Sequence, residues 1–494
     1  MAAHKELATE ESLDPRDWEE IRALGQQMVD DMIEYLRTVR ERPVWQPIPA
    51  ELSREFQQPL PHAPRPLGEV YAEFKGKVLP YPTGNIHPRF WAWVMGNGTV
   101  TGMLAEMLAA GFNPNQGGGS QSGNLVELQV ISWCKEMLGF PASASGLLVS
   151  GGSMANLVGL TVARNSRAGY DVREEGIGGA PRPLRIYAST EVHSCVHKAV
   201  ELLGLGRRSL RLIGVNSDFT IDVEQLKRAI REDRERGLLP LCVVGSAGTV
   251  NTGATDPLDA LADLCAEEGL WFHVDGAFGA LVALSPELRN MVKGMERADS
   301  LAFDMHKWMY MPYEVGCTLV RDSEAHRQAF ALTPHYLEHT SRGIAGAEMW
   351  FSDYGVQLSR GFRALKVWMS IQENGIDKFG RLIQQNVAQA RYLHSRVAST
   401  RELELVAGVP LNIVCFRYVG SLNDAAAIDE LNKELLLRLH EGGIAAPSYA
   451  TINGKYTLRV CITNHRSTKG DFDLLVREVV RLGNTLETQA HGVA

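Results

Sequence analysis

The sequence predicts an α/β protein: a large, mostly parallel sheet with helices on both faces, preceded by a helical and extended arm and followed by a smaller α+β domain. Three observations predict it. Between residues 100 and 320, short β-rich runs alternate with helix-length amphipathic pieces, the pattern of strands buried on both faces. An aspartate and a lysine each sit directly behind such a run, where open α/β sheets keep their ligands. Beyond residue 366 the order changes to helix, strand, helix, strand, helix. With 494 residues and about 150 residues per domain, roughly three domains are expected. They are assigned to an arm over 1–89, a large domain over 90–370 and a small domain over 371–494.

In chain order, Ile21, Leu24, Met28, Met32 and Leu36 recur at three- and four-residue steps, which places an apolar stripe on a helix whose other face carries Asp30, Asp31 and Arg37. Such a stripe needs a cover. Prolines at 43, 47, 49, 59, 61, 64 and 66 then predict a segment running extended over a surface, and an arm embracing a second subunit is one outcome. The runs at 146–149, 184–187, 241–244, 271–274 and 317–320 read as strands, with 258–268 as one of the intervening helices. After residue 366 come a long helix, a strand over 411–418, a helix over 424–440, a strand over 456–461 and a closing helix. No internal repeat or low-complexity tract interrupts this order.

Composition narrows the function. With 45% hydrophobic and 22% charged residues, the chain is globular and has material for a large core. Its 50 basic and 58 acidic side chains leave a formal charge of −8 with no basic patch, so neither nucleic acid nor an anionic membrane is an expected partner. Seven cysteines, none in a Cys-x-x-Cys pair, are too sparse for a disulfide framework and point to a reducing compartment. The first residues are charged throughout, and no stretch reaches the ~18 apolar residues of a membrane span, so a cytoplasmic protein is expected.

Three segments carry chemistry. The run ending at Val149 leads into Ser150-Gly151-Gly152-Ser153 and a helical stretch; small residues between strand and helix leave amide N–H groups free for an anion. The motif lacks the Gly-Lys-Ser/Thr of a nucleotide loop and the spacing of a dinucleotide fingerprint. It fits a single terminal phosphate, with a plain tight turn as the alternative. His273-Val274-Asp275-Gly276-Ala277 puts an acid behind a strand, where a helix cap is the ordinary use. Asp304-Met305-His306-Lys307-Trp308 puts a lysine between an imidazole and an indole just past another strand.

Together these segments resemble the pyridoxal 5'-phosphate (PLP) enzymes of the aspartate aminotransferase fold type, specifically the group II decarboxylases typified by aromatic L-amino-acid decarboxylase, over nearly the whole chain. The resemblance implies a mostly parallel seven-stranded sheet, a homodimer, and PLP as cofactor. It implies that Gly151, Gly152 and Ser153 hold the phosphate, that Asp275 pairs with the pyridine nitrogen, and that Lys307 forms the Schiff base, since only a primary amine gives an exchangeable imine. Asp304 and His306 join the cofactor-binding set, the family counterpart of His306 being a phosphate ligand. In Thr190-Glu191-Val192-His193, the histidine resembles one that stacks on the cofactor ring, opposite the small methyl of Ala277, and Thr249 resembles a threonine near the ring substituents. A metal reading of His193, Cys195 and His197 finds no second ligand cluster, so no metal is expected.

The stretch Leu332-Thr333-Pro334-His335-Tyr336, with small residues over 341–347, predicts a loop carrying one aromatic hydroxyl. In the family this loop delivers a proton to Cα, which implies that role for Tyr336 and an amine as product; members with phenylalanine there release aldehyde. The implied reaction is PLP-dependent decarboxylation of an L-amino acid. The strip over 87–96, with Trp91, Trp93 and Val94, resembles the family's side-chain pocket, and aromatic lining suits an aromatic substrate. Asn115 and Gln116 stand where animal members place bulky apolar residues, and Ser359 resembles a position where plant members carry serine for phenolic substrates. Tyrosine or dopa is therefore favoured over tryptophan. The alternatives are decarboxylation of glutamate, aspartate or diaminobutyrate, with Arg89, Asn115 or Gln116 reading the side chain, and transamination or aldehyde formation. A transaminase would use an arginine such as Arg459 to clamp the substrate carboxylate.

Overall fold

The computed structural model describes residues 11–332, 342–347 and 349–492. They divide into two units. One comprises Pro47–Pro82 with the described residues up to Pro43; the other comprises Val44–Gln46 with the chain from Thr83 onward.

Within the first unit, the amphipathic helix runs Trp18–Arg37, started by Asp17, whose carboxylate accepts from the amides of Glu19 and Glu20. Asp31 on this helix accepts from the Tyr71 hydroxyl at 2.7 Å and the Lys75 amine at 2.8 Å, which the helix Leu67–Glu73 and the wider turn Phe74–Val78 carry. The proline-rich segment does not stay extended throughout, because Ala50–Glu55 is helical. Pro49 immediately precedes that helix, where a missing N–H breaks no helical hydrogen bond.

Twelve strands order the described part of the second unit: β1 (Phe90–Trp91), β2 (Ser145–Val149), β3 (Leu184–Ser189), β4 (Leu210–Ile213), β5 (Leu239–Ser246), β6 (Trp271–Asp275), β7 (Ser300–Asp304), β8 (Gly316–Val320), β9 (Leu403–Leu405), β10 (Ile413–Tyr418), β11 (Ala446–Ile452) and β12 (Lys455–Cys461). The larger sheet has seven strands in the order β2-β8-β7-β6-β5-β3-β4. β8 is antiparallel to both neighbours, and every other pairing is parallel. In β5, Leu241, Cys242, Val243 and Val244 are all fully buried; a strand covered on both faces needs no polar alternation, which is why it reads as an unbroken apolar run. Because β2, β3, β5, β6 and β7 share one direction, their carboxyl ends open on one edge of the sheet, the edge where α/β folds bind ligands.

The second sheet runs β1-β11-β12-β10-β9, antiparallel apart from β1 with β11. It claims Phe90 and Trp91, with which the sequence reading opened the large domain: they pair with Ala446 and Pro447. Gly375, with φ of +68°, ends the helix Ala364–Asn374 before Ile376–Ala398 begins, so the single long helix expected here is two. A buried ion pair ties helix Ser122–Met137 to the loop after residue 355: the Arg360 and Glu127 side chains are 1% and 0% exposed. Arg360 also donates to the carbonyls of Gln116 and Leu148, each at 2.7 Å. No helix among the described residues is long and apolar enough to cross a membrane.

Candidate active site

Five loops leaving the carboxyl edge of the large sheet converge. β2 ends at Val149 and passes through Ser150 and Gly151 into the helix Gly152–Arg167. Its first helical hydrogen bond runs from the Ala155 amide to the Gly151 carbonyl at 2.9 Å, so the amides of Gly152, Ser153 and Met154 precede the ladder, as at any helix start. A Cβ on Gly152 would stand 2.8 Å from Asp304 Oδ2 and 3.4 Å from the Ala277 Cβ. The turn is thus a cradle that a side chain would fill, floored by amides suited to a phosphate.

β6 delivers Asp275 at its last position. The Ala277 amide donates to its Oδ1 at 3.2 Å, and the Cys195 thiol donates to its Oδ2 at 3.8 Å. Burial pushes the Cys195 thiol up, which keeps it a donor. β7 delivers Asp304, and one helical turn later Lys307 places its Nζ 3.0 Å from Asp304 Oδ2. Burial opposes charge on Lys307, but Asp304 and then Asp275 outweigh it and hold the amine above the usual lysine range. His306 is buried against Tyr313, ring centroids 4.7 Å apart, and burial lowers its pKa.

After β3, His193 caps the helix Ser194–Leu202: its Nδ1 accepts from the Cys195 amide at 3.2 Å. Burial lowers the His193 pKa, against the pull of Asp275. A ring that accepts at Nδ1 is the neutral Nε2–H form, able to present a flat uncharged face. After β5, the buried Thr249 hydroxyl accepts from the Ala254 amide at 3.1 Å.

Two adjoining cavities, each about 390 Å³, share His193, Ala277 and Lys307. The first lies over Gly151, Gly152, Ser153, Asp304 and His306. The second is lined by Asp275, Thr249, Trp93, Val94, Tyr449 and Arg459. An anion cradle, an acid and an amine around contiguous space fit the phosphate, ring nitrogen and aldehyde of PLP.

Of the residues expected at the substrate pocket, Trp93 and Val94 line the second cavity. Trp91 does not: its ring stacks on Phe472 at 5.1 Å and its Nε1 donates to Ser467 Oγ at 3.2 Å, inside the small-sheet core. β1 ends at Trp91, and the positive φ of Trp93 breaks the extended run there, so the two side chains part. Asn115, Gln116 and Ser359 line neither cavity of this chain. Asn115 Oδ1 accepts from the amides of Gly117 and Arg360, each at 3.0 Å, Gln116 is fully buried, and Ser359 is exposed. Tyr336 lies outside the described residues.

Arg459 is no free clamp. Its Nε donates to the Val250 carbonyl at 2.9 Å, and its Nη1 to the Trp93 carbonyl at 3.3 Å and Ser448 Oγ at 3.1 Å. It braces the backbone of Trp93, which is held at φ of +53°. Cys195 entered the sequence reading only as a discarded metal ligand, and Tyr313 and Tyr449 did not enter it. Tyr449 sits on β11, a strand hidden by Pro447 and by alternating exposed positions.

The chain matches the family model for the pyridoxal-dependent decarboxylase conserved domain over residues 49–419. It is 37% identical over 454 residues to the aromatic-L-amino-acid decarboxylase of Bacillus atrophaeus, covering 91% of this chain and 92% of that one. It is 29% identical over 461 residues to the phenylacetaldehyde synthase of Arabidopsis thaliana, covering 91% and 93%. The crystal structure of Oryza sativa TDC with PLP and tryptamine superposes with a TM-score of 0.88 at 26% identity, covering 96% of this chain and all of that one. Sheet, converging loops and these likenesses agree: the chain belongs to the pyridoxal-dependent decarboxylase family, and it is a PLP-dependent amino-acid decarboxylase.

Proposed function

We propose that the protein converts an aromatic L-amino acid to its amine and CO2. The observation that carries this reading is the second cavity, whose mouth is flanked by Trp93 and Tyr449, each 61% exposed, while its arginine is spent on backbone carbonyls. Aromatic walls reward an aromatic side chain by stacking; no uncommitted arginine among the described lining residues awaits an acidic one. The name of the Bacillus atrophaeus relative supports the same class.

When bound, PLP supplies an electron-poor ring that takes up the electron pair released as the bond from Cα to the carboxylate breaks. In the roles proposed here, Gly151, Gly152 and Ser153 hold the phosphate with His306 beside them. Asp275 would pair with the ring nitrogen and hold its proton, with Cys195 and the Ala277 amide fixing the carboxylate. Lys307 holds the aldehyde end, and Asp304 keeps its amine charged until then. His193, Ala277 and Thr249 would contact the ring. Tyr336 returns a proton to Cα, which commits the product to amine.

The working form proposed is a homodimer in the reducing cytoplasm, with an arm over 1–89 and a boundary between large and small domains near residue 370. All seven cysteines are free and buried. Helix Val100–Phe112 exposes Val100, Met107, Leu108 and Phe112, an apolar face adjoining Asn115 and Gln116; a partner copy covering it brings those residues toward its own pocket. Purified protein incubated with the twenty amino acids and dopa, with CO2, amine, ammonia and peroxide measured together, tests the function. Amine and CO2 from tyrosine, dopa, tryptophan or phenylalanine support it; turnover of glutamate, aspartate or diaminobutyrate alone overturns the aromatic assignment. Ammonia and peroxide would instead favour the aldehyde reading suggested by the Arabidopsis thaliana relative.

A further inference from the structure

We propose that His273 and Asn156 are positioning residues for the cofactor phosphate, tying the glycine turn to the strand that carries Asp275. Asn156 Nδ2 donates to the Gly152 carbonyl at 2.8 Å, so its Oδ1 is the atom that faces His273 Nε2, also at 2.8 Å. An amide oxygen only accepts, so Nε2 carries the imidazole proton and Nδ1 is the acceptor. The Ser300 hydroxyl, 2.8 Å from Nδ1, donates to it and accepts from Trp271 Nε1–H at 2.8 Å. Every proton along this line is thereby assigned.

His273, Asn156 and Ser300 are fully buried, and burial drives the His273 pKa down to about 4, so the ring stays neutral through the working pH range. The helix that begins with the turn comes so close that a Cβ on Gly159 would lie 2.7 Å from His273 Cε1. His273 and Asp275 share one face of β6, two residues apart. One imidazole thus links the turn that takes the phosphate with the strand that takes the ring nitrogen. The line ends on Gly152, the first residue of the helix whose leading amides meet the phosphate. A satisfied, directional network of this kind fixes geometry rather than merely filling space. None of these side chains but Asn156 borders either of the two site cavities, so the others act through the turn.

The inference rests on the PLP reading, and one experiment separates the two. Full-length apoenzyme is titrated with PLP and with phosphate-free pyridoxal by quenching of protein fluorescence. Wild-type protein binding PLP no tighter than pyridoxal would sink the phosphate site itself. Given that preference, Asn156→Ala removes the link from His273 to the Gly152 carbonyl without adding a charge beside the phosphate. Its PLP Kd should rise about tenfold and its pyridoxal Kd less than about twofold. Ser300→Ala, one link further away, should weaken PLP about threefold with the same selectivity, and it decides the matter should Asn156→Ala fail to fold. Equal weakening of both ligands, or unchanged PLP binding, overturns the positioning role, because a general loss of packing does not distinguish a ligand with a phosphate from one without.

Discussion

Removing the Asp304 carboxylate should free the Lys307 amine from its proton at a lower pH. Two unit charges 3.0 Å apart attract by about 332/(20 × 3.0), or roughly 5.5 kcal/mol, at an effective dielectric of 20. The Lys307 side chain is 20% exposed, so solvent reduces that figure, and the usual effect of an adjacent carboxylate, a factor of about 10 to 1,000 in proton affinity, is the expected range. Burial opposes charge on this lysine and the two aspartates restore it; without Asp304 burial prevails. An ordinary lysine is neutral in only about one molecule in a thousand near pH 7.5, so Asp304→Asn raises the reactive fraction tenfold or more. Reductive alkylation of the apoenzyme with formaldehyde, followed across pH by mass spectrometry of the Lys307 peptide, reads this titration without the cofactor. The midpoint should fall by about one to three pH units in Asp304→Asn. A midpoint equal to or above that of the wild type would refute the electrostatic argument.

Tyr336→Phe should shift product from amine toward aldehyde, ammonia and peroxide, measured as the ratio of amine to ammonia; an unchanged ratio removes Tyr336 from proton return. Gly152→Ala drives a methyl to 2.8 Å from Asp304 Oδ2, and overpacking of about 1–3 kcal/mol should weaken PLP by about fivefold to a hundredfold in an equilibrium titration; unaltered affinity would show that the turn does not touch the cofactor. Arg360→Met strands the Glu127 carboxylate among buried atoms and should cost about 3–5 kcal/mol in urea unfolding, with Glu127→Leu added to it restoring much of the loss; a single variant as stable as the wild type contradicts this.

Much of the large sheet could be read from the chain because its central strands are largely apolar and end in chemistry: the runs at 271–274 and 317–320 correspond to β6 and β8, the acid closes β6 and the lysine follows β7. Segments whose structure depends on distant partners were hidden. β1 is two residues long and exists through Ala446 and Pro447, while β4 mixes buried and exposed positions at the sheet edge. Trp91 and Trp93, two apart, would share a face of one strand, but β1 ends at Trp91 and Trp93 lies beyond it at φ of +53°, so one ring packs into the core and the other lines the cavity. Asn115 resembled a substrate contact, yet within one chain it lines neither cavity and its Oδ1 accepts from the amides of Gly117 and the distant Arg360. The partnership of His273 with Asn156 spans 117 positions, a separation at which no periodicity or motif signals contact.

Reducing the PLP-loaded protein with borohydride and mapping the phosphopyridoxyl mass by peptide sequencing shows which lysine holds the cofactor. One label per chain is expected, on Lys307, and none in Lys307→Ala. A stable label on any other lysine, or none in protein that decarboxylates amino acids, would contradict that assignment.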